Sequence, residues 1–218
     1  MKSIKTIIPK KAFIPALIYF LIIPSYFLVR IFTVNLQHHD LSGPLDELIP
    51  FVPAFIWIYV LAYFQWFLGY LALAHLDEDI FRIHMASEVI GKLTCVLIFI
   101  LLPTTIIRPE VTGTGLTDAM VSWIYGADQP DNLLPSIHCM ESWIVARGLM
   151  KTKAPKTAKL LMWCFTGLVC LSVVFVKQHI VLDIPCGILV AELAILISDK
   201  LDAPRIYGAI EKLIGVKP

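Results

Sequence analysis

Long apolar runs follow one another along this chain, separated by short polar segments. A helix needs about 20 mostly apolar residues to cross a lipid bilayer. Six runs approach that length, and they predict transmembrane helices at about 12–33, 51–74, 89–107, 133–150, 158–176 and 179–198. The fourth and sixth are less apolar than the others because each begins with a polar segment.

Composition agrees with this pattern. Of the 218 residues, 58% are hydrophobic and 16% are charged, and the mean hydropathy is +0.78. Such a chain is too apolar for an ordinary soluble domain. No low-complexity linker or clear internal repeat divides it. We therefore predict an all-α fold: a polytopic membrane protein whose six transmembrane helices form one bundle, with a single integral-membrane domain over residues 1–218.

Lysine and arginine are distributed unevenly between the predicted loops. If both termini are cytoplasmic, the inner segments hold 15 of the 18 basic residues, and the outer segments hold only Arg30, Arg108 and Lys177. Cytoplasmic loops are enriched in Lys and Arg, so the count predicts this orientation. The net charge of +1 gives no support for a nucleic-acid partner. No pattern predicts a particular oligomeric state.

The N-terminal run has a basic start, formed by Lys2, Lys5, Lys10 and Lys11, as a signal peptide would. The uncharged stretch 12–29 is long, however, and no small-x-small cleavage site follows it. We predict that it is a retained helix. The five cysteines all fall in predicted helices and form no CxxC pair, so we expect packing roles for them and no disulfide framework.

Two polar segments lie in strongly apolar surroundings, where polar groups are costly and usually functional. In the first, Pro135 and Ser136 have the pattern of a helix start, and His138 would lie in the first turn. In the second, His179 and Asp183 are spaced i, i+4, so a helix would place them on one face. The carboxylate could then orient the imidazole and stabilise its charged form.

The six-helix topology brings these segments to one side of the membrane. Arg108, the 135–138 segment and the 177–183 segment all fall at outer helix ends, and Gly187 would let a neighbouring helix approach closely. The long loop 108–132 could shape or cover the site entrance. A metal site built from His138, His179 and Asp183 is the less favoured alternative.

The outer loop 34–50 also contains adjacent histidines, His38 and His39. Neighbouring side chains in a polar loop rarely form a metal site alone, so we expect a solvated loop there. The charged segment 77–84 is likewise expected to be a solvated inner loop, and the apolar spacing after Ala203 predicts a short amphipathic helix on the inner surface.

The polar segments resemble signatures of the type 2 phosphatidic acid phosphatase superfamily. Pro-Ser-Ile-His at 135–138 is similar to its second signature, usually Pro-Ser-Gly-His. His179 with Asp183 resembles the third, Ser-Arg-x5-His-x3-Asp, and Arg108-Pro109 resembles the end of the first, Lys-x6-Arg-Pro. The Lys-Gln-His sequence and Ile137 look closest to the branch that includes inositol phosphorylceramide and sphingomyelin synthases and bacterial relatives.

The chain also departs from these signatures. Leu101 stands at the Lys position of the first signature, and Val173 stands at the Arg position of the third, where Ser172 is retained. Two phosphate-binding cations of the phosphatase pattern are therefore missing, and Lys177 is a candidate replacement for one of them. These departures leave the substrate and the acceptor open.

The resemblance implies a mechanism that needs neither metal nor cofactor. His179 would be the nucleophile and form a phosphohistidine, Asp183 would orient it, and His138 would be the general acid and base. The residues expected to stabilise the phosphoryl charge are Arg108, Lys177 and Ser136, together with nearby backbone amides.

The expected substrate is a lipid phosphate or diphosphate, because the site lies where a headgroup can enter from the outer membrane interface. We expect the plasma membrane, with the site on the extracytoplasmic face. Phosphatidic acid, phosphatidylglycerophosphate and polyprenyl diphosphate are all compatible. With water as acceptor the protein would be a lipid phosphatase, and with a lipid or polyol hydroxyl it would be a phosphotransferase. A non-catalytic lipid-binding or transport protein is the third possibility.

Overall fold

The computed structural model describes residues 9–215 and is mostly helical. Its α-helices are α1 (Phe13–Ile22), α2 (Ser25–Leu28), α3 (Arg30–Thr33), α4 (Pro44–Leu48), α5 (Ile56–Leu76), α6 (Glu78–Leu101), α7 (Leu116–Ala127), α8 (Ile137–Lys151), α9 (Lys156–Phe175), α10 (Asp183–Lys200) and α11 (Ala203–Leu213). Short 3-10 turns, Lys10–Ala12 and Pro53–Phe55, precede α1 and α5. Lys2, Lys5 and Lys217 of the charge count, and both chain ends, lie outside the described residues.

Each of the six predicted apolar segments contains helix, but residues 102–107, 133–136 and 179–182 lie outside the helices. Within residues 9–215, four are long and apolar enough to cross a membrane: Phe13–Thr33, Pro53–Leu76, Glu78–Leu101 and Lys156–Phe175. The other two fall short for visible reasons. Helix α8 has only 15 residues, and α10 contains Glu192, Asp199 and Lys200 in addition to its first residue, Asp183.

The expectation of a solvated loop at 77–84 is wrong. The Asp77 side chain accepts a hydrogen bond from the Ile80 amide and caps α6, which begins at Glu78. Arg82 and His84 are then buried inside the bundle. The predicted boundary was late because the first turns of α6 contain charged residues whose partners lie far away in sequence.

Helix α6 lies near the centre of the bundle and packs against α10, α8, α1, α5 and α11. Helix α8 in turn contacts α5, α9 and α10. The apolar core between them contains residues from several helices, including Leu73, Met85, Met140 and Val145. Leucine and phenylalanine side chains cover much of the outer surface, as expected of helices that face lipid.

The loops at one end of the bundle are held together by short hydrogen-bonded segments. Strand β1 (His39–Asp40) pairs in parallel with β2 (Thr104–Thr105), so the loop after α3 is joined to the end of α6. The Thr104 hydroxyl accepts hydrogen bonds from the amides of Leu133 and Leu134, both at 3.0 Å. These contacts fix the chain immediately before Pro135 and therefore the start of α8.

Helix α11 lies against the opposite end of α6. The Arg82 guanidinium reaches both carboxylate oxygens of Glu211, at 2.8 and 2.7 Å, and donates to the Pro204 carbonyl at 3.1 Å. Tyr207 is buried in this contact, whereas Ile206 and Leu213 are exposed. The amphipathic helix predicted after Ala203 is therefore present, and an ion pair with α6 fixes its polar side.

Candidate active site

His179 and Asp183 form a hydrogen-bonded pair. The Nδ1 atom of His179 lies 2.9 Å from Oδ2 of Asp183. The Asp183 side chain is fully buried, and the same oxygen also accepts a hydrogen bond from the Ile180 amide at 3.1 Å. The pairing favours the imidazole tautomer with its proton on Nδ1, because a carboxylate accepts a hydrogen bond from that N–H group. The Nε2 atom then carries the free lone pair.

The local structure of this pair differs from the sequence expectation. The predicted helix 179–198 begins only at Asp183, and His179 lies in a turn before it. Lys177, with φ of 52°, has the left-handed backbone conformation that reverses the chain after α9. The His179 amide then donates to the Val173 carbonyl near the end of α9. The turn brings the imidazole back over the first turn of α10, so the i, i+4 contact forms without a continuous helix.

Ser136 is the N-cap of α8, as the Pro-Ser pattern predicts. Its hydroxyl accepts a hydrogen bond from the Cys139 amide at 3.4 Å, and its own amide donates to the Asp183 carbonyl at 3.2 Å. The start of α8 is therefore bonded directly to the start of α10. Gly187 permits this approach, because a Cβ atom there would lie 2.5 Å from the Ser136 carbonyl oxygen.

His138 lies in a pocket of aromatic side chains from α5. Its imidazole stacks on the Tyr59 ring with centroids 4.0 Å apart, and Tyr63 and Trp66 contact it at 5.5 and 5.1 Å. The residue is 7% exposed, and its Nε2 atom has no hydrogen-bond partner in the described part of the chain. The Tyr59 hydroxyl is held by Asp128 Oδ2 at 3.3 Å. The ring is thus positioned by stacking, and Nε2 is left available.

The two histidines line one cavity of about 380 Å³. Most of its wall is aromatic or aliphatic, with tyrosines and phenylalanines from α1, α2, α5 and α6. Residues of α7, including Trp123 and Ile124, complete the wall. The 108–132 loop therefore contributes to the cavity. A mostly apolar cavity with two imidazoles suits a molecule that has a polar group and a hydrocarbon part.

Arg108 is close to this site, although it does not line the cavity itself. Its guanidinium donates to the Asp128 carbonyl at 2.6 Å and to the Gln178 side chain, and it stacks over the Tyr125 ring at 4.5 Å. Its buried Nε has no partner among the described residues. Burial lowers the pKa of Arg108 below its ordinary value, an effect that Asp128 partly offsets. Arg108 thus holds the residue immediately before His179.

The sequence suggested that Lys177 stabilises the phosphoryl group beside His179, but its side chain bonds to a different part of the structure. Its ammonium donates to the carbonyls of Asp46 and Ile49, at 2.9 and 2.6 Å. It lines a second cavity, between the 40–51 loop and Arg108, and not the cavity that contains the two histidines. In this structure the Lys177 ammonium anchors the 40–51 loop.

Several residues that position the site were missed by sequence reasoning. Asp46 was assigned to a solvated loop, yet its carboxylate accepts from the Val181 amide at 2.7 Å and from the Gly43 amide at 2.9 Å. Asp128 accepts from Tyr26 at 2.5 Å in addition to Tyr59. No sequence spacing marks these two residues as partners of the site. Apart from the local Gly43 contact, each accepts hydrogen bonds from groups more than 60 positions away in the sequence.

A buried charged cluster was also missed. Glu88 and Lys92 on α6 meet Glu141 on α8, and all three side chains are buried. Lys92 and Glu141 line the same cavity as the histidines. Glu141 follows His138 by one helical turn, a spacing that could have suggested that both face one space.

Comparisons of the chain with protein-family models, with curated proteins and with solved structures found no match. Within residues 9–215, no group of three or more His, Cys, Asp or Glu side chains is placed to hold a metal ion. The geometry therefore gives no support to the alternative metal site at His138, His179 and Asp183.

Proposed function

We propose that this protein is a membrane lipid phosphatase that hydrolyses a lipid phosphate or diphosphate through a phosphohistidine intermediate. The observation that carries the proposal is the His179–Asp183 pair, whose histidine lines a largely apolar cavity together with His138. The signature resemblance assigns the same residues to the same chemistry.

His179 is the proposed nucleophile. Its Nδ1 proton is directed to Asp183, so Nε2 attacks phosphorus, and the P–O bond to the leaving group breaks as the P–N bond forms. The imidazole becomes positively charged in this step, and the buried carboxylate stabilises that charge. Water then attacks the phosphohistidine, which releases inorganic phosphate and restores the neutral imidazole.

His138 is the proposed general acid and base. Its Nε2 would donate a proton to the leaving oxygen and then take one from the attacking water. The residue lines the same cavity, and its buried Nε2 has no hydrogen-bond partner within residues 9–215.

The phosphoryl oxygens would be stabilised at the start of α8 and by Arg108. Ser136 caps α8, and its amide and that of Cys139 are already bonded, so the amides of Ile137 and His138 are the ones left for a phosphate. Arg108 would turn toward the cavity and contribute its Nε, which has no partner in the described part of the chain. By analogy with single oxyanion donors, loss of one such contact costs about 2.7–4 kcal/mol.

The proposed topology has six membrane-spanning segments with both termini in the cytoplasm. The short α8 and the charged α10 would cross together with their neighbours, since both pack against α6. The site would then face the extracytoplasmic side of the plasma membrane. A lipid headgroup could reach the histidines there while its chain remained beside the exposed apolar helices.

A phosphotransferase is the second candidate, and the aromatic cavity favours it. The cavity has room for an organic acceptor beside the phosphoryl group, and its wall is largely apolar. In that case a lipid or polyol hydroxyl would take the place of water, with His138 as its base. The first half of the reaction is the same in both cases.

The experiment is phosphate release from a panel of lipid phosphates and diphosphates by purified protein in the presence of a chelator. Wild-type protein should release phosphate, His179→Ala should abolish release, and His138→Ala should slow it severely. Undiminished turnover by the His179 variant would exclude the proposed nucleophile. Headgroup exchange without phosphate release would identify the transferase, and lipid binding with no turnover would favour a transport or binding protein.

A further inference from the structure

Three charged side chains meet in the interior of the bundle, beside the cavity that His138 and His179 line. Glu88 and Lys92 are one turn apart on α6, and Glu141 faces them from α8. Glu88 is 0% exposed, Lys92 is 6% exposed and Glu141 is 1% exposed. Ionisable groups at such depth are rare and are usually functional.

Glu141 has the contacts expected of an ionised carboxylate. One of its oxygens pairs with the Lys92 ammonium, and the other accepts from the Tyr19 hydroxyl at 3.4 Å. The Lys92 ammonium also lies 5.2 Å from the centre of the Tyr19 ring. The charges of Lys92 and Glu141 therefore compensate each other directly.

Glu88 has weaker contacts. Its Oε1 accepts a hydrogen bond from the Tyr70 hydroxyl, whereas its buried Oε2 has no hydrogen-bond partner in the described part of the chain. The Lys92 ammonium is 3.9 Å from Oε2, beyond ordinary hydrogen-bond distance. An ionised Glu88 would place a poorly compensated negative charge on Oε2 in the interior. A neutral carboxylic acid with its proton on Oε2 avoids that charge.

The charge balance of the cluster leads to the same assignment. Two carboxylates and one ammonium leave one uncompensated negative charge in an apolar interior, which is costly. One bound proton removes it. A metal cation is a poor substitute, because the Lys92 ammonium already lies between the carboxylates and few oxygens remain to coordinate one.

We propose that Glu88, Lys92 and Glu141 form a proton-binding site in the membrane interior, with the proton carried by Glu88. The titratable groups that face Glu88 are Tyr70 from α5, Tyr19 from α1, Glu141 from α8, and Lys92 and Cys95 from α6 itself. Lys92 and Glu141 also line the cavity that contains His138 and His179. The proton site is therefore next to that cavity, and it does not depend on catalysis.

Infrared difference spectroscopy of the purified full chain at neutral pH tests this site. The carbonyl stretch of a buried protonated carboxylic acid should be present in wild-type protein and lost in Glu88→Gln. It should also be lost in Glu141→Gln, because Glu88 then becomes the only carboxylate paired with Lys92. In Lys92→Met the band should roughly double in intensity, because both carboxyl groups then need a proton.

Two tyrosine variants identify which carboxyl group holds the proton. Tyr70→Phe removes the donor to Glu88 Oε1 and should shift the band to higher frequency, while Tyr19→Phe, which removes the donor to Glu141, should leave it unchanged. Absence of the band from wild-type protein would overturn the proposal. This measurement uses the wild-type protein alone, so it does not depend on whether a variant folds. If Tyr70→Phe leaves the frequency of the carbonyl band unchanged, the assignment of the proton to Glu88 is wrong.

Discussion

His179 and His138 line the same cavity, but different neighbours define their chemistry. A fully buried carboxylate occupies the Nδ1 side of His179, which fixes the tautomer and leaves Nε2 to react. The His138 ring is instead packed against the aromatic side chains of α5. The first environment suits a nucleophile that becomes cationic, and the second suits a group that exchanges a proton.

Lys177 provides the residue-scale prediction. Lys177→Met removes two charge-assisted hydrogen bonds to backbone carbonyls. The free energy of unfolding should fall by no more than about 1.5–3 kcal/mol for each lost bond. Phosphate release per folded molecule should change little. Thermal unfolding and steady-state kinetics measure the two effects.

Arg108→Met is the matched comparison for Lys177→Met. It should lower kcat/KM by about 10²–10³, as expected for loss of one transition-state donor. If Lys177→Met instead lowers kcat/KM to the same extent with unchanged stability, then Lys177 contacts the phosphate, as the sequence first suggested.

At the scale of elements, the hydrophobic pattern predicted every long helix, because burial in lipid or against another helix needs a continuous apolar run. The N-cap at Ser136 was predictable as well, since capping depends on local residues. The start of α6 was not, because Arg82 is stabilised by Glu211 and His84 is buried by tertiary packing. The roles of Asp46 and Asp128 were equally hidden, because their partners are distant in sequence.

The contact between α8 and α10 gives the element-scale prediction. Gly187→Ala would place a methyl group 2.5 Å from the Ser136 carbonyl, so the two helix starts must separate. Because these helices position His138 and His179, kcat should fall and the protein should be less stable. Gly167→Ala on α9 is the control, since nothing lies within 4 Å of its Cβ position. Equal kcat and equal stability of the two variants would contradict the close contact between α8 and α10.

At the scale of the whole molecule, all three basic residues predicted on the outer side bond to its loops. Arg30 pairs with Asp131 at 2.8 Å, Arg108 donates to the Asp128 carbonyl, and Lys177 donates to the carbonyls of the 40–51 loop. The few cations on this side therefore hold the loops around the cavity. Their roles are compatible with a basic inner surface and an outer one that has few basic residues.

The proposed orientation predicts which positions are accessible from each side. A cysteine introduced at exposed Glu110 should react with a membrane-impermeant maleimide added to intact cells, and one introduced at exposed Lys153 should react only after the membrane is opened. The wild-type protein supplies the background from its own cysteines. Reaction of the Lys153→Cys variant in intact cells, with none at Glu110→Cys, would invert the topology and place the site on the cytoplasmic side.

The most direct test of the account is detection of the covalent intermediate. Purified protein is mixed with a lipid substrate labelled in its phosphoryl group and quenched at alkaline pH, and the labelled peptide is identified by mass spectrometry. The account predicts phosphate on His179, more of it in His138→Ala if water attack is slowed more than phosphorylation, and none in His179→Ala. Label on His138, or full turnover with no phosphohistidine on rapid quenching, would contradict the proposed mechanism.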